Sequence, residues 1–264
     1  MSEFLVSKVL VVDLVCAALY GALVALVATR WRLQRSALLL LGACAATALW
    51  ALNGAFANAE RSSELLFGVG LEVLRSISWI LVLAGAYSDG LSKPASRREV
   101  GRLQLAAVAF ALALIALEMG VGGLVSRRTQ GLWFELAIYG HLVITSSGLV
   151  LLELLFYRSS PETRSRFMYL WLGVGMLLLY DLVLYSEALL FGRLRPDLLA
   201  GHGALAALAT PMLAITPLRH ATWLIDFHVE RPPVFRSIAL LGVAICLLGI
   251  AAAGTLTRVF GLSP

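Results

Sequence analysis

The residues of this 264-residue chain that could do chemistry lie inside long apolar runs, and the clearest pair is Glu72 with Arg75 in LEVLRSISW at 71–79. Their i, i+3 spacing places both side chains on one face of a helix, close enough to pair. Arg75 is the only basic residue expected deep within an apolar run. Because an ionisable group at bilayer depth is costly unless it is paired or hydrated, each such group is a functional candidate.

A second cluster lies in the segment YDLVLYSEALLF at 180–191. Asp181 and Tyr185 share one helix face at i, i+4, and Tyr180 and Glu187 share another at i, i+7. We expect Arg75 to be the counter-ion of Glu72 and of one carboxylate from another helix, which is Asp181, Glu187 or Glu118. The candidate ligand-sensing pocket comprises Glu72, Arg75, Glu118, His141, Tyr180, Asp181, Tyr185 and Glu187.

Simpler interpretations stay open for several of these residues. Buried polar pairs in helix bundles commonly serve only to fix packing, which applies to Glu72 with Arg75. His141 is either a proton switch or a hydrogen-bonded packing residue. Headgroup exposure is the expected state of four residues near predicted helix ends, namely Asp13, Asn58, Glu135 and Glu187.

Motifs for catalysis or metal binding are scarce. The sequence has no HExxH, GxSxG, Walker or paired CxxC motif, so it predicts no catalytic residue and no metal site. Cys16, Cys44 and Cys246 each lie in an apolar run, as buried small hydrophobic residues do. A thiol set of Cys44, Arg75 and His141 is conceivable, but no local signature supports it.

The composition decides which elements must position these residues. Hydrophobic residues make up 60% of the chain and charged residues only 14%, against about 25% charged in ordinary soluble domains. Lipid must therefore be the solvent for most of the surface. The net charge of +5 does not point to nucleic acid, since no basic block occurs.

The fold class expected is an all-α polytopic membrane bundle of about eight transmembrane helices. The apolar runs are 9–29, 36–58, 65–88, 103–124, 132–156, 167–191, 199–217 and 234–257. Connections after odd-numbered runs hold thirteen basic residues and the opposite side holds seven, which places both termini outside. The intramembrane polar residues then gather in the outer half, with Glu153 toward the inner face.

The loop at 218–233 differs from the other connections. Apolar Ile225, Phe227 and Val229 alternate there with polar residues, and Pro232 and Pro233 follow. This period of two is typical of a short extended segment. It is either a docking edge for a partner or an ordinary amphipathic linker.

Residues 163–261 resemble the membrane region of PrsK-like sensor histidine kinases of the PEP-CTERM/exosortase system. The motifs that carry the resemblance are YDLVLYSEALLF, the R-x-R-x-D-L pattern at 193–198, and W-x-x-D-x-x-V-x-R from Trp223 to Arg231. The LEVLRSISW segment is also similar. The resemblance implies a sensor domain followed by one further membrane helix and a cytoplasmic kinase.

On this resemblance, residues 1–264 form a single transmembrane sensor domain without the kinase domain. It implies the bacterial inner membrane, a homodimer of the full-length protein and a cognate response regulator as partners besides the lipid bilayer. It places ATP and Mg only in the kinase domain, so this chain is expected to hold no cofactor. The alternatives are a small-molecule or proton-coupled transporter and an intramembrane enzyme of envelope biogenesis.

Overall fold

The computed structural model describes residues 3–30, 35–60, 66–91, 94–124 and 130–219. These residues form seven long α-helices joined by short connections. The helices are α1 (Glu3–Arg30), α2 (Arg35–Glu60), α3 (Leu66–Asp89), α4 (Pro94–Leu124), α5 (Gln130–Arg158), α6 (Pro161–Phe191) and α7 (Pro196–Arg219).

All seven helices contain an apolar stretch long enough to cross a membrane. The stretches are 20 to 31 residues long, and about 20 residues suffice for a bilayer core. Seven of the eight expected spans are thus found as helices, and the chain is a multi-pass helical bundle. The eighth, at 234–257, lies outside the described residues, as does the 218–233 loop beyond Arg219.

Six helices form a closed ring, which follows from the pairs that pack together. Going round the ring, neighbours are α1, α2, α3, α5, α6 and α7, and α7 packs back against α1. Helix α4 packs on the outside, against α3 and α5. Side chains of α3 therefore face α6 and α7 across the ring interior.

The ends of the bundle differ in charge. We call the end where α1 finishes the Arg30 end, and the end where α6 turns into α7 the Gly192 end. Apart from Arg75, the described residues place nine basic residues at or near the Arg30 end and three at the Gly192 end. The charge asymmetry expected from the sequence thus holds across the described part of the chain.

Local sequence explains where α6 begins and ends. The Ser160 hydroxyl accepts a hydrogen bond from the Thr163 backbone N–H at 3.2 Å, and Pro161 occupies the first helical turn, where its missing N–H costs nothing. At the other end Gly192 has φ 65°, a left-handed conformation that favours glycine. These caps lengthen α6 beyond its apolar run, which explains why it begins at Pro161 and not at 167.

The largest apolar core fills the half of the ring toward the Arg30 end. It includes fully buried side chains from α1, α3 and α6, among them Tyr20, Trp79 and Leu177. The Trp79 indole N–H donates to the Thr47 hydroxyl at 3.1 Å, so its one polar atom is satisfied. This half of the bundle is therefore closely packed and mainly apolar.

Substituting Gly173 should weaken the packing of α6 on α7. A Cβ atom there would lie 2.8 Å from Leu213 Cδ2 and 3.4 Å from the Ala209 carbonyl oxygen. Since Leu213 is itself buried, we expect Gly173→Val to cost about 1–3 kcal/mol through overpacking. Thermal unfolding of the protein in detergent measures the change.

The matched control is Gly42→Val, because a Cβ atom at Gly42 meets nothing within 4 Å. Gly42 lies on an exposed face of α2, where lipid accepts a larger side chain. Equal melting temperatures for the two variants would contradict the close approach of α6 and α7.

Candidate functional site

The charged site is built around Arg75, which lies in α3 with its side chain fully buried. Its Nη2 atom donates to Glu72 Oε1 at 2.7 Å and to both carboxylate oxygens of Asp181 at 3.0 Å. Glu72 is one turn away on the same helix, whereas Asp181 comes from α6 across the ring. The expectation that Arg75 pairs with Glu72 and with a carboxylate from another helix is confirmed.

Two aromatic rings complete this cluster. The Trp50 indole of α2 lies against the guanidinium, with the Arg75 Cζ atom 4.9 Å from the ring centroid, within cation–π range. His202 of α7 packs against the same indole at a centroid distance of 4.7 Å. We call Trp50, Glu72, Arg75, Asp181 and His202 the Arg75 cluster; it joins α2, α3, α6 and α7.

His202, like Trp50, is a residue of this cluster that sequence reasoning left out of the pocket. Its imidazole is fully buried, and its Nε2 atom lies 2.8 Å from Asp181 Oδ1. The approach is oblique to the N–H direction, so the contact is electrostatic and not a linear hydrogen bond. Its other nitrogen, Nδ1, lies 3.9 Å from Glu72 Oε1.

The signal that could have identified His202 is the pair of glycines that flank it. A Cβ atom at Gly201 would lie 2.5 Å from the Tyr180 hydroxyl oxygen, and one at Gly203 would overlap the Asp13 carboxylate. The Gly-His-Gly sequence thus lets α7 approach α6 and α1 closely. It is this approach that brings the histidine to the carboxylates.

A second set of contacts extends the site to α4 and α5. His141 Nε2 lies 2.9 Å from Glu118 Oε1, and the imidazole stacks on the Tyr185 ring at 4.2 Å. The Tyr185 hydroxyl donates to Glu72 Oε1 at 3.2 Å. This Glu118 branch links the helix outside the ring to the Arg75 cluster.

Two of the expected pocket residues lie elsewhere. Glu187 pairs with Arg195 at 3.0 Å at the Gly192 end, and Arg195 is half exposed there. The Tyr180 hydroxyl donates to the Leu198 carbonyl oxygen at 2.7 Å, although its ring lies 5.4 Å from that of His202. The other six expected residues, Glu72, Arg75, Glu118, His141, Asp181 and Tyr185, lie in one connected network.

Asp13 corrects an expectation of headgroup exposure. Its side chain is 7% exposed, and Cβ atoms added at Gly54 and Gly203 would both approach its carboxylate. Asp13 therefore lies buried between α1, α2 and α7. The expectation of exposure was wrong because α2 and α7 cover the carboxylate, and a count along one helix does not include contacts from other helices.

Three ligand atoms in the cluster have spacing that a metal ion could use. One atom each from Glu72, Asp181 and His202 lies within 4.8 Å of the others. Arg75 Nη2, however, already lies between the two carboxylates at hydrogen-bond distance. The guanidinium therefore already occupies the position between the two carboxylates, and the arrangement does not fit a metal site.

Several polar atoms in this region are buried without a hydrogen-bond partner among the described residues. They include Arg75 Nε and Nη1, Glu118 Oε2 and His141 Nδ1. A buried unpaired donor or acceptor costs about 1–3 kcal/mol. The network therefore has unused hydrogen-bonding capacity, which water or a polar ligand could satisfy.

Comparison of the chain with protein-family models, with curated proteins and with solved structures finds no match. The class of protein rests on the fold itself. It is a multi-pass helical membrane protein with a buried charged network in the half of the bundle toward the Gly192 end.

Neutralising Asp181 should destabilise the bundle more than neutralising Glu187. Asp181→Asn leaves Arg75 with one carboxylate in a buried site, and breaking a buried pair costs about 3–5 kcal/mol. Glu187→Gln removes an ion pair whose arginine is half exposed, which is worth about 0–1 kcal/mol. Unfolding by SDS in mixed micelles measures both free energies.

A double-mutant cycle separates the ion pair from general disruption. If Arg75 and Asp181 interact as described, Arg75→Met with Asp181→Asn costs less than the two single changes added together. Strict additivity, or equal losses for Asp181→Asn and Glu187→Gln, would contradict the pairing.

Proposed function

We propose that this chain is the membrane-embedded sensory domain of a PrsK-like sensor histidine kinase, with the Arg75 cluster and the Glu118 branch as its signal-receiving site. The observation that carries the proposal is the division of the ring into a charged half and a closely packed, apolar half. The resemblance of residues 163–261 to the family supports it independently.

The apolar half supports the proposal of a sensor over that of a transporter. A transporter must open its site to both sides of the membrane, which requires a polar path through the bundle. Between the Arg75 cluster and the Arg30 end, the described part of the ring is instead filled by buried side chains that include Tyr20, Trp79 and Leu177. Among the described residues, Glu153 of α5 makes no hydrogen bond or ion pair with the cluster, so it does not extend the cluster into such a path.

The alternative of an intramembrane thiol enzyme loses its geometric basis. Cys44 is fully buried and packs in the apolar core with Tyr20 and Leu83. Arg75 and His141, the other two members of that set, pair with carboxylates. A thiol in such surroundings lacks the electropositive neighbours that make a cysteine reactive.

The proposed mechanism is a shift between two packings of the helices. The network ties α3 to α6, α7 and, through Tyr185 and His141, to α4 and α5. A ligand or a proton that changes its charge favours a different set of partners and so a different helix packing. Helix α7 leads on toward the C-terminal part of the chain, where the family places its route to the kinase.

The remaining features of the proposal follow from the family and from the charges. The Arg30 end faces the cytoplasm by the positive-inside rule, so the charged site lies in the outer half of the bundle in the bacterial inner membrane. The full-length protein forms a homodimer and passes phosphate to a response regulator. ATP and Mg serve only the kinase domain.

The orientation can be tested with reporter fusions. We expect green fluorescent protein fused after Leu91 to fluoresce and alkaline phosphatase fused there to be inactive, because that connection lies at the Arg30 end. A fusion within 125–129 should behave in the opposite way. The reverse pattern would overturn the orientation and the outward-facing site.

The kinase assignment is tested on the gene and on the full-length protein. We expect the reading frame after codon 264 to continue into a further membrane helix and a kinase. We then measure autophosphorylation of the full-length protein in vesicles. The response of this rate to the signal should fall at least about tenfold in Arg75→Gln and in Tyr185→Phe. Each change weakens a network contact worth about 1.4 kcal/mol or more.

Glu187→Gln serves as the matched control, since it lies on α6 outside the network. Tyr185→Phe removes one hydroxyl and keeps the ring stacked on His141. A loss of response in this variant is therefore not explained by misfolding. A frame that ends without a kinase would overturn the proposal, as would full responses in both network variants.

A further inference from the structure

The Arg75 cluster has an excess of negative charge unless a further proton is bound. It contains two carboxylates, Glu72 and Asp181, and one guanidinium, and Arg75 and Asp181 are buried to 1% exposure or less. With a neutral His202 its formal charge is −1. An uncompensated charge in a buried site costs several kcal/mol, so one more positive charge stabilises the cluster.

The geometry of His202 identifies where that charge belongs. Nε2 lies 2.8 Å from Asp181 Oδ1, and Nδ1 lies 3.9 Å from Glu72 Oε1. Neither ring nitrogen makes a hydrogen bond among the described residues, but a carboxylate oxygen lies within ion-pair distance on each side of the ring. A positive charge on the imidazole is therefore attracted by both carboxylates. The doubly protonated imidazolium carries the missing charge.

The other groups around His202 favour the same state. On α6, the Tyr180 ring lies 5.4 Å from the imidazole, and on α2 the Trp50 ring lies at 4.7 Å, where its face attracts a cation. On α1, the acidic Asp13 approaches the neighbouring Gly203. Arg75, which is already paired with both carboxylates, is the one described cation facing this region.

We propose that the Arg75 cluster is a proton-binding site, with the proton held on His202 between Asp181 and Glu72. When the proton is bound, the positive charge of His202 on α7 attracts Asp181 on α6 and Glu72 on α3. Release of the proton leaves the carboxylates in excess and loosens α7. The last part of the proposal rests on the proposed function: the bound proton is the stimulus to which the sensor domain responds.

The direct test is ¹⁵N NMR of the chain labelled at histidine and reconstituted in lipid vesicles. The chain has four histidines, so the signal missing from His202→Gln identifies His202. We expect both of its ring nitrogens to be protonated at pH 7. A His202 that is neutral at both pH 7 and pH 5.5 would overturn the proton site.

Variants of the partners test the cause. Asp181→Asn should lower the ratio of charged to neutral His202 at pH 7 by roughly tenfold or more, equivalent to about one pH unit. Glu72→Gln should lower this ratio less, because Glu72 Oε1 lies farther from the imidazole, at 3.9 Å from Nδ1. It replaces Asp181→Asn in the test if that variant does not fold. Glu187→Gln should leave the ratio unchanged; an equal effect of Glu187→Gln and Asp181→Asn would overturn the assignment.

The NMR result does not depend on a kinase, so the two proposals can fail separately. A neutral His202 overturns the proton site and leaves the sensor assignment standing. A charged His202 combined with pH-independent autophosphorylation of the full-length protein overturns the proton as stimulus. A charged His202 in a chain whose gene encodes no kinase supports the site and overturns the sensor assignment.

Discussion

The permanent positive charge of Arg75 is the constraint on which the rest of this bundle depends. A guanidinium in the membrane interior cannot be solvated by lipid, and it cannot lose its proton. Its own helix supplies one carboxylate, Glu72. The remaining compensation must come from other helices, and Asp181 with the Trp50 ring supplies it.

That requirement explains why the helices close into a ring. Arg75 on α3 reaches α6 across the interior, and His202 on α7 joins the same carboxylates. Helix packing in membranes gains little from the hydrophobic effect, because lipid tails are as apolar as the side chains. Charge compensation and close contact at small residues therefore decide which helices meet. Gly201 and Gly203 allow close helix contacts beside His202. Gly173 does the same on α6, nearer the Arg30 end.

The two halves of the ring have different physical properties. In the apolar half, side chains such as Tyr20, Trp79 and Leu177 are closely packed against one another. A rearrangement of the helices there would open cavities or cause steric overlap, so it is costly. The charged half depends on the number of protons and hydrogen bonds that it holds. A signal that alters those numbers acts on the charged half, while the apolar half keeps the helices assembled. This division is the basis on which we propose an input domain and not a transporter.

The sequence by itself determined the class of the fold and the principal charge pair. Long apolar runs can be stable only as membrane helices, and the i, i+3 spacing of Glu72 and Arg75 dictates their pairing on any helix. The grouping of polar residues in one half also followed from counting along the runs. Each of these features is local, so it can be read from neighbouring residues in the chain.

Only the tertiary structure decided which helices surround Arg75. Asp181, Glu187 and Glu118 were equally eligible partners from the sequence, and the choice depends on the rotation of α6 and on which helices are neighbours. His202 and Trp50 entered the site, and Asp13 became buried, for the same reason. Contacts between helices depend on packing around the whole ring, and no spacing within one helix encodes that.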